Sequence, residues 1–146
     1  MASGEYRDSG LISSATGRPF QTAGGRDIYP SIRGKASALF HSLVANHAFH
    51  NGNKRTAVIA VDHFLLANAY LLMLDPEGMY ILAKNVATYR AVGASHEDIL
   101  ERLMLEFGLY AVPFARLKRH FLDFEALYRE LRHHRLEIRR HPLNRP

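Results

Sequence analysis

The sequence predicts an all-α fold with one small β-hairpin, followed by a basic C-terminal helix. Apolar residues recur three and four positions apart in most segments, which is the spacing of a helix with one buried face. Glycine and proline mark the boundaries between these segments. The 146 residues, 47% apolar and 23% charged, suffice for one domain with a core of its own. We therefore expect a helical domain over residues 1–112 and a basic amphipathic segment over 113–146.

The N-terminal part is expected to form a short helix and then a turn. The spacing predicts a helix over residues 11–15, which Gly17 and Pro19 end. Residues 18–30 contain two prolines and adjacent glycines. We expect a loop or a small hairpin there, turning at the glycine pair.

Two helices follow, separated by a break at residues 51–53. Ser31 can cap the first, which is expected to run to about His50. The second begins near Lys54 or Arg55 and runs to about Ala69. Because it is apolar nearly all round, we expect it to be the buried central helix.

In the rest of the chain, the sequence predicts one extended stretch and three further helices. Residues 70–74 are extended or a short turn, and Pro76 suits the first turn of a helix over 76–91. Ser95 can cap a helix over 97–107, whose acidic first turn matches the positive end of the helix dipole. Pro113 marks a boundary, after which residues 114–140 are predicted as one long basic helix.

Composition and charge exclude several classes of protein. The absence of cysteine excludes disulfides, thiolate zinc sites and cysteine nucleophiles. The longest apolar runs fall far short of the ~20 residues of a membrane helix, and no secretory signal is visible, so we expect a cytoplasmic protein. The net charge of +5 arises from residues 116–146, which carry nine basic and four acidic residues. Such a tail can bind nucleic acid or an acidic partner, or form a solvated helix.

The break between the two helices carries the residues best suited to chemistry. The first amides of a helix lack intrahelical partners, and Gly52 lets the backbone turn tightly in front of them. Lys54 and Arg55 add two cations, so the segment predicts a phosphate site. His47, a few residues upstream, could take the proton of an attacking hydroxyl. The alternative is a corner between two helices with solvated charges.

This segment resembles the signature of the Fic/Doc family, His-x-Phe-x-(Asp/Glu)-(Gly/Ala)-Asn-(Gly/Lys)-Arg. The chain matches the signature at His47, Phe49, Gly52, Asn53, Lys54 and Arg55. The resemblance covers roughly residues 8–107. A lysine at position 54, where nucleotidyl-transferring Fic proteins have glycine, is similar to the death-on-curing (Doc) branch.

The resemblance implies a fold and an activity. The fold would be the compact helical Fic fold with a β-hairpin flap over the active site. Fic members transfer AMP from ATP to a target hydroxyl, whereas Doc toxins phosphorylate a threonine of elongation factor Tu and halt translation. A small antitoxin protein inhibits them. The implied activity is therefore kinase-like phosphate transfer from ATP, with AMP transfer as the alternative.

The resemblance also implies a role for each matched residue. His47 would be the general base and Phe49 a core anchor that fixes the loop. The residues that would bind ATP phosphates are Gly52, Asn53, Lys54 and Arg55. The residues that would belong to the flap are Gly24, Gly25 and Tyr29.

One departure from the family pattern bears on the cofactor. Position 51 is Asn where the family usually has the Asp or Glu that holds Mg²⁺, and a neutral amide oxygen is a weaker ligand for a hard cation. Either ATP phosphates and waters hold Mg²⁺, or activity is low. A second hypothesis is therefore a non-catalytic regulatory module whose basic C-terminal segment binds nucleic acid or an acidic partner. A zinc site built from His47, His50 and His63 is less favoured, since no metal-binding motif accompanies them.

Overall fold

The computed structural model describes residues 7–119 together with Ala126 and Arg129. Two 3-10 turns, Arg18–Phe20 and Tyr89–Val92, flank the helices. The helices of these residues are α1 (Ser9–Gly17), α2 (Ile32–Ala45), α3 (Asn53–Ala67), α4 (Pro76–Thr88), α5 (His96–Tyr110) and α6 (Phe114–Leu117). The strands are β1 (Thr22–Ala23), β2 (Arg26–Asp27), β3 (Tyr70–Leu72) and β4 (Ala111–Pro113), paired β1 with β2 and β3 with β4. The predicted all-α fold class is confirmed.

The chain divides into two compact units, Met1–Val112 and Pro113–Pro146. In the first unit α2 is the central helix, because every residue from Ala36 to Val44 is buried and the helix packs against α1, α3, α4 and α5. Its small alanine and serine side chains let these neighbours approach closely. Where α2 packs against α5, the ring of Phe40 contacts that of Phe107 edge to face, with ring centroids 5.8 Å apart.

The prediction that the helix after residue 53 is the central one is wrong. In α3 the buried residues are Ala57, Val61 and Leu65, a single stripe at intervals of four. Ile59 on another face is exposed. The apolar composition of α3 therefore predicted more burial than this helix has. The small residues of α2 gave no comparable indication that it lies in the core.

The predicted helix starts are confirmed by their caps. The side chain of Ser31 accepts a hydrogen bond from the amide of Gly34 at 2.9 Å. Asp75 likewise caps α4, and Ser95 forms a capping box with Asp98 at the start of α5. Such caps satisfy amides that the helix cannot pair itself.

The predicted end of the helix that Ser31 caps is wrong by about one turn. Helix α2 ends at Ala45 rather than near His50. The reason is the backbone of His47, whose φ of 48° lies in the left-handed region and cannot continue a right-handed helix. The chain therefore leaves the helix just before the motif and forms a loop.

The glycine pair forms the predicted hairpin. Strands β1 and β2 are antiparallel, with Thr22 opposite Asp27. Gly24 and Gly25 have φ of 56° and 76°, as a two-residue turn with both central residues left-handed requires. Lys35 of α2 ties the hairpin down, because its ammonium lies 2.7 Å from Oδ2 of Asp27 and donates to the carbonyl of Pro19.

The second unit is described over a short range. Helix α6 ends at Leu117, and Lys118 and Arg119 form a turn, so the predicted helix over residues 114–140 is not continuous at its start. The rest of that prediction, and with it most of the basic segment, lies outside the described residues apart from Ala126 and Arg129. Among the described helices, none combines the length and the apolar character that crossing a bilayer requires.

Candidate active site

The loop between α2 and α3 is fixed by the side chain of Asn53. The amide of Phe49 donates to Oδ1 of Asn53 at 2.9 Å, and Nδ2 of Asn53 donates to the carbonyl of Phe49 at 2.8 Å. Ala48 is fully buried and Phe49 is half-buried. The Asn53 amide therefore clamps residues 49–53 into a closed loop, and this clamp fixes where the first turn of α3 begins.

Gly52 immediately precedes α3 and leaves the N-terminal end of this helix without a side-chain cap. It is the N-cap residue with φ of 79°, and no side chain caps this end of the helix. A Cβ built on Gly52 meets nothing within 4 Å, so the backbone conformation rather than crowding calls for glycine. The helical ladder starts with the amide of Thr56 donating to the carbonyl of Gly52 at 2.8 Å. The amides that precede Thr56 lie at the positive end of the helix dipole, beneath open space.

Two cations lie in the first turn of α3. Lys54 is half-buried and Arg55 is exposed, and they lie two and three residues after Gly52. Their charges add to the positive end of the helix, which is the arrangement that binds phosphate groups in many proteins.

The loop offers Mg²⁺ few good ligands of its own. Asn51 is exposed and supplies a neutral amide oxygen. In the part of the chain that the structure describes, no three histidine or carboxylate side chains converge on a possible metal position. The protein donors at this loop therefore fit a divalent cation poorly, because such ions favour several charged or carbonyl oxygens.

His47 lies at the edge of a cleft of about 530 Å³. Its side chain is exposed and its left-handed backbone turns the chain out of α2. The polar residues that line the cleft with it are Arg18, His41, Ser42, Asn46, Tyr89, Arg90 and His96. Residues 52–55 are not part of this lining. The predicted base thus borders the cleft, whereas the predicted phosphate-binding residues lie outside its walls.

A chain of side-chain contacts runs along the cleft wall. Arg18 donates through Nε to the hydroxyl of Tyr29 at 3.4 Å, and its Nη2 lies 3.2 Å from Nε2 of His96. The ring of His96 meets His41 edge to face, with centroids 4.5 Å apart. His41 in turn lies 5.8 Å from the ring of Tyr89. We call Arg18, His96, His41, Tyr89 and Arg90 together the cleft belt.

Arg90 and Tyr89 form the far end of the cleft belt. Nε of Arg90 donates to the Tyr89 hydroxyl at 3.1 Å, and the guanidinium lies 5.6 Å from the centroid of the same ring. Arg90 itself is exposed. The belt therefore places one guanidinium at each end and three aromatic rings between them.

His41 is the buried member of the cleft belt, with 7% of its surface exposed. Burial, and after it the neighbouring basic groups of His96, Arg18 and Arg90 in that order, together lower the pKa of His41 from its ordinary 6.5 to about 4. Among the residues that the structure describes, its Nε2 finds no hydrogen-bond partner. The ring is therefore neutral near pH 7 and carries an unsatisfied polar atom in the wall of the cleft.

The predicted flap residues occupy the hairpin and its flank. Gly24 and Gly25 form the turn, and Tyr29 follows β2 and joins the cleft belt through Arg18. The structure thus connects the base of the hairpin to the cleft that His47 borders. That connection passes through Arg18, which lies just before the hairpin.

Sequence reasoning missed the cleft belt. His41 gave no signal either, because it lies outside the stripe that the apolar residues of α2 form at helical spacing. Arg90 and His96 follow α4 and begin α5, and no local pattern distinguishes them from solvated residues at helix ends. Only the packing of these helix ends brings them together.

Comparisons with known proteins support the resemblance. Residues 1–65 match the model of the Fic/DOC family. Over 71 residues the chain is 48% identical to the protein named Toxin Doc from Mycolicibacterium smegmatis (strain ATCC 700084 / mc(2)155), an alignment that covers 49% of this chain and 55% of that protein. The chain thus spans about half the length of this curated relative. No solved structure matches. The predicted resemblance to the Fic/Doc family and its Doc branch is confirmed.

Proposed function

From the Fic/DOC family match of its first 65 residues, we propose that this protein is a Doc-like toxin that transfers a phosphate from ATP to a hydroxyl side chain of a target protein. The observation that carries the proposal is the loop from His47 to Arg55. This loop combines a nearly complete family signature with an uncapped helix end, two cations and an adjacent histidine.

The donor nucleotide binds through its phosphates at the N-terminal end of α3. The amides of the first turn donate to phosphate oxygens, and Gly52 leaves room for the close approach. Lys54 and Arg55 add charge-assisted hydrogen bonds. Asn53 acts by holding the loop closed, since both ends of its amide are bonded to Phe49.

Lys54 favours transfer of the terminal phosphate over transfer of AMP. The lysine side chain fills space next to the helix end that glycine would leave to more of the nucleotide's phosphates. ATP then presents its terminal phosphate to the residues of the loop. AMP transfer, the activity of Fic members with glycine at this position, is the alternative outcome.

His47 acts as the general base. It takes the proton of the acceptor hydroxyl as that oxygen attacks the terminal phosphorus, the bond from phosphorus to the bridging oxygen breaks, and ADP leaves. Catalysis here is mostly positioning and charge stabilisation, which the clamped loop and the helix end supply. Mg²⁺ has no well-fitting protein ligands at Asn51, so this sequence of events assigns no step to it.

The partners follow from the same proposal. The target is a protein of the translation machinery, with elongation factor Tu as the first to test, and a separate antitoxin chain inhibits the enzyme. The cytoplasm is where these partners and ATP would meet the protein.

The substitution at position 51 favours one other candidate. If Asn51 abolishes turnover, the protein is a binding module whose basic C-terminal segment meets nucleic acid or an acidic partner. Gel-shift binding that survives loss of His47 and disappears on deletion of residues 116–146 would favour that candidate.

The experiment incubates the protein and a cell lysate with ATP labelled on either the α or the γ phosphate. We expect protein-bound label from the γ position alone. His47→Asn is the matched control, because asparagine tolerates the left-handed backbone of this position but offers no base. Label from the α position would reject phosphate transfer in favour of AMP transfer. Absence of both, with a folded protein, would reject the enzyme.

A further inference from the structure

The cleft belt carries positive charge, which would attract an acidic ligand. Arg18 and Arg90 stand at its two ends, and His96 lies between them. The described residues that line the cleft include no aspartate or glutamate. Among the described residues, neither Arg18 nor Arg90 forms an ion pair with a carboxylate, so neither guanidinium of the belt is neutralised within that part of the chain. A bound carboxylate would supply the missing charge.

His41 gives an independent indication that the cleft receives a ligand. Its ring is more than nine-tenths buried, lines the cleft, and leaves Nε2 without a partner among the described residues. Buried polar atoms are nearly always satisfied, because an unsatisfied one destabilises the folded state. Because Nε2 is closed off from solvent, a ligand group completes its hydrogen bonding by shifting the cleft wall around it.

His47 relates this cleft to the reaction. In a transfer reaction the donor phosphate and the acceptor hydroxyl must both reach the base. Residues 52–55, which hold the donor in the proposed function, do not line the cleft, whereas His47 does. The cleft is therefore the side from which the acceptor can approach His47. Its mouth is accessible, since His47 and Arg90 are both exposed.

We infer that the cleft binds the acceptor segment of the target protein and that it selects segments with acidic residues next to the reacting hydroxyl. This inference rests on the proposed function, because it assigns the acceptor side of the same site. Arg18 and Arg90 are then specificity residues that hold the flanking carboxylates. His41 lies behind them as a positioning residue for the same segment.

The test measures binding without ATP, so that it does not depend on turnover. A fluorescent peptide with one threonine flanked by two glutamates on each side is compared with its glutamine counterpart by fluorescence anisotropy at low salt. We expect the glutamate peptide to bind about tenfold more tightly, since hydrogen bonds to charged groups carry most of the difference. Equal binding of the two peptides would overturn the inference.

The variants distinguish binding by the residues of the cleft from attraction of the peptide to positive charge anywhere on the surface. Arg90→Gln is expected to weaken the glutamate peptide about tenfold and to leave the glutamine peptide unchanged, while Arg90→Lys keeps most of the affinity. Arg102→Gln is the matched control, because it removes the same charge from an exposed position of α5 outside the cleft. An equal loss in Arg102→Gln would overturn the inference. His41→Phe keeps the ring but removes the unsatisfied nitrogen, and is expected to weaken binding about threefold to fivefold.

Competition with ATP decides between a carboxylate and a phosphate as the ligand of the cleft. Unlabelled ATP is added to the peptide complex, and ATP affinity is measured for Arg90→Gln. Displacement of the peptide together with a tenfold loss of ATP affinity in the variant would place the nucleotide in the cleft and overturn the inference. ATP that binds the variant and the wild type equally supports it.

The outcomes for the cleft and for the proposed function remain distinguishable. Selective, Arg90-dependent binding of the glutamate peptide without any label transfer from ATP would support the acidic cleft and reject the transferase. Transfer of γ label to a lysate protein with the same KM for that protein in Arg90→Gln and wild type would support the transferase and overturn the acidic cleft.

Discussion

Replacing His41 with phenylalanine should change how the stability of the protein depends on pH. The folded-state pKa of His41 is about 4, against an ordinary value of 6.5, because burial and three neighbouring basic groups disfavour its charged form. Between these two pH values the unfolded chain takes up a proton that the folded chain does not. Stability contributed by this residue is therefore full above pH 6.5 and is lost as the pH falls towards 4.

The magnitude follows from the two pKa values. One pKa unit corresponds to ~1.36 kcal/mol. The free energy of unfolding that the wild type loses through His41 is therefore about 2 kcal/mol at pH 5 and about 3 kcal/mol below pH 4. His41→Phe lacks this loss altogether. It also removes the unsatisfied Nε2, which should raise the free energy of unfolding by about 1 kcal/mol at pH 7. The variant is thus more stable than the wild type at pH 7, and its advantage grows by about 2 kcal/mol at pH 5.

Urea unfolding followed by circular dichroism at pH 7 and pH 5 measures both effects. Other titrating groups are common to both proteins and cancel in the difference. The carboxyl of Asp98, whose pKa hydrogen bonds with Ser95 hold below its ordinary value, stays ionised from pH 7 to pH 5 in both. A difference between variant and wild type that stays constant from pH 7 to pH 5 would refute the reasoning. A variant less stable than the wild type at pH 7 would show that Nε2 is satisfied in solution.

The remaining predictions concern the loop and the hairpin. Asn53→Ala removes both hydrogen bonds to Phe49 and should lower the free energy of unfolding by about 2 kcal/mol, as chemical denaturation would measure; an unchanged value would contradict the clamp. Gly52→Ala should cost about 1 kcal/mol because of its positive φ, while the control Gly17→Ala, at a helical position with open space, should not destabilise the protein; equal effects would contradict this explanation. Lys35→Gln should release the hairpin from α2 and speed amide exchange of residues 22–27, with global stability lowered by about 1 kcal/mol; unchanged exchange would show that the tie does not hold the hairpin.

The local signals in the sequence were sufficient for helix starts and turns. Ser31 and Ser95 are N-caps because their hydroxyls satisfy amides a few residues away, and the glycine pair turns the hairpin because glycine adopts both positive φ values without strain. These features depend on neighbours in the chain, so periodicity and residue type suffice to find them.

Features set by tertiary contacts could not be found in this way. Helix α2 was expected to reach His50, but the clamp between Asn53 and Phe49 and the burial of Ala48 favour a left-handed His47 instead. The same distinction between local and tertiary features applies to the candidate site. The matched signature located the loop, whereas the cleft beside it depends on Arg18, which lies far from the loop in sequence.

The central claim is that the loop presents the terminal phosphate of ATP to His47, and the position of a bound nucleotide tests it most directly. The measurement is a crystal structure of the protein with a non-hydrolysable ATP analogue. We expect the γ phosphate within hydrogen-bond distance of the first amides of α3 and of the side chains of Lys54 and Arg55, with the ring of His47 facing it. An α phosphate at that position, or a nucleotide seated in the cleft with the helix end empty, would contradict the account.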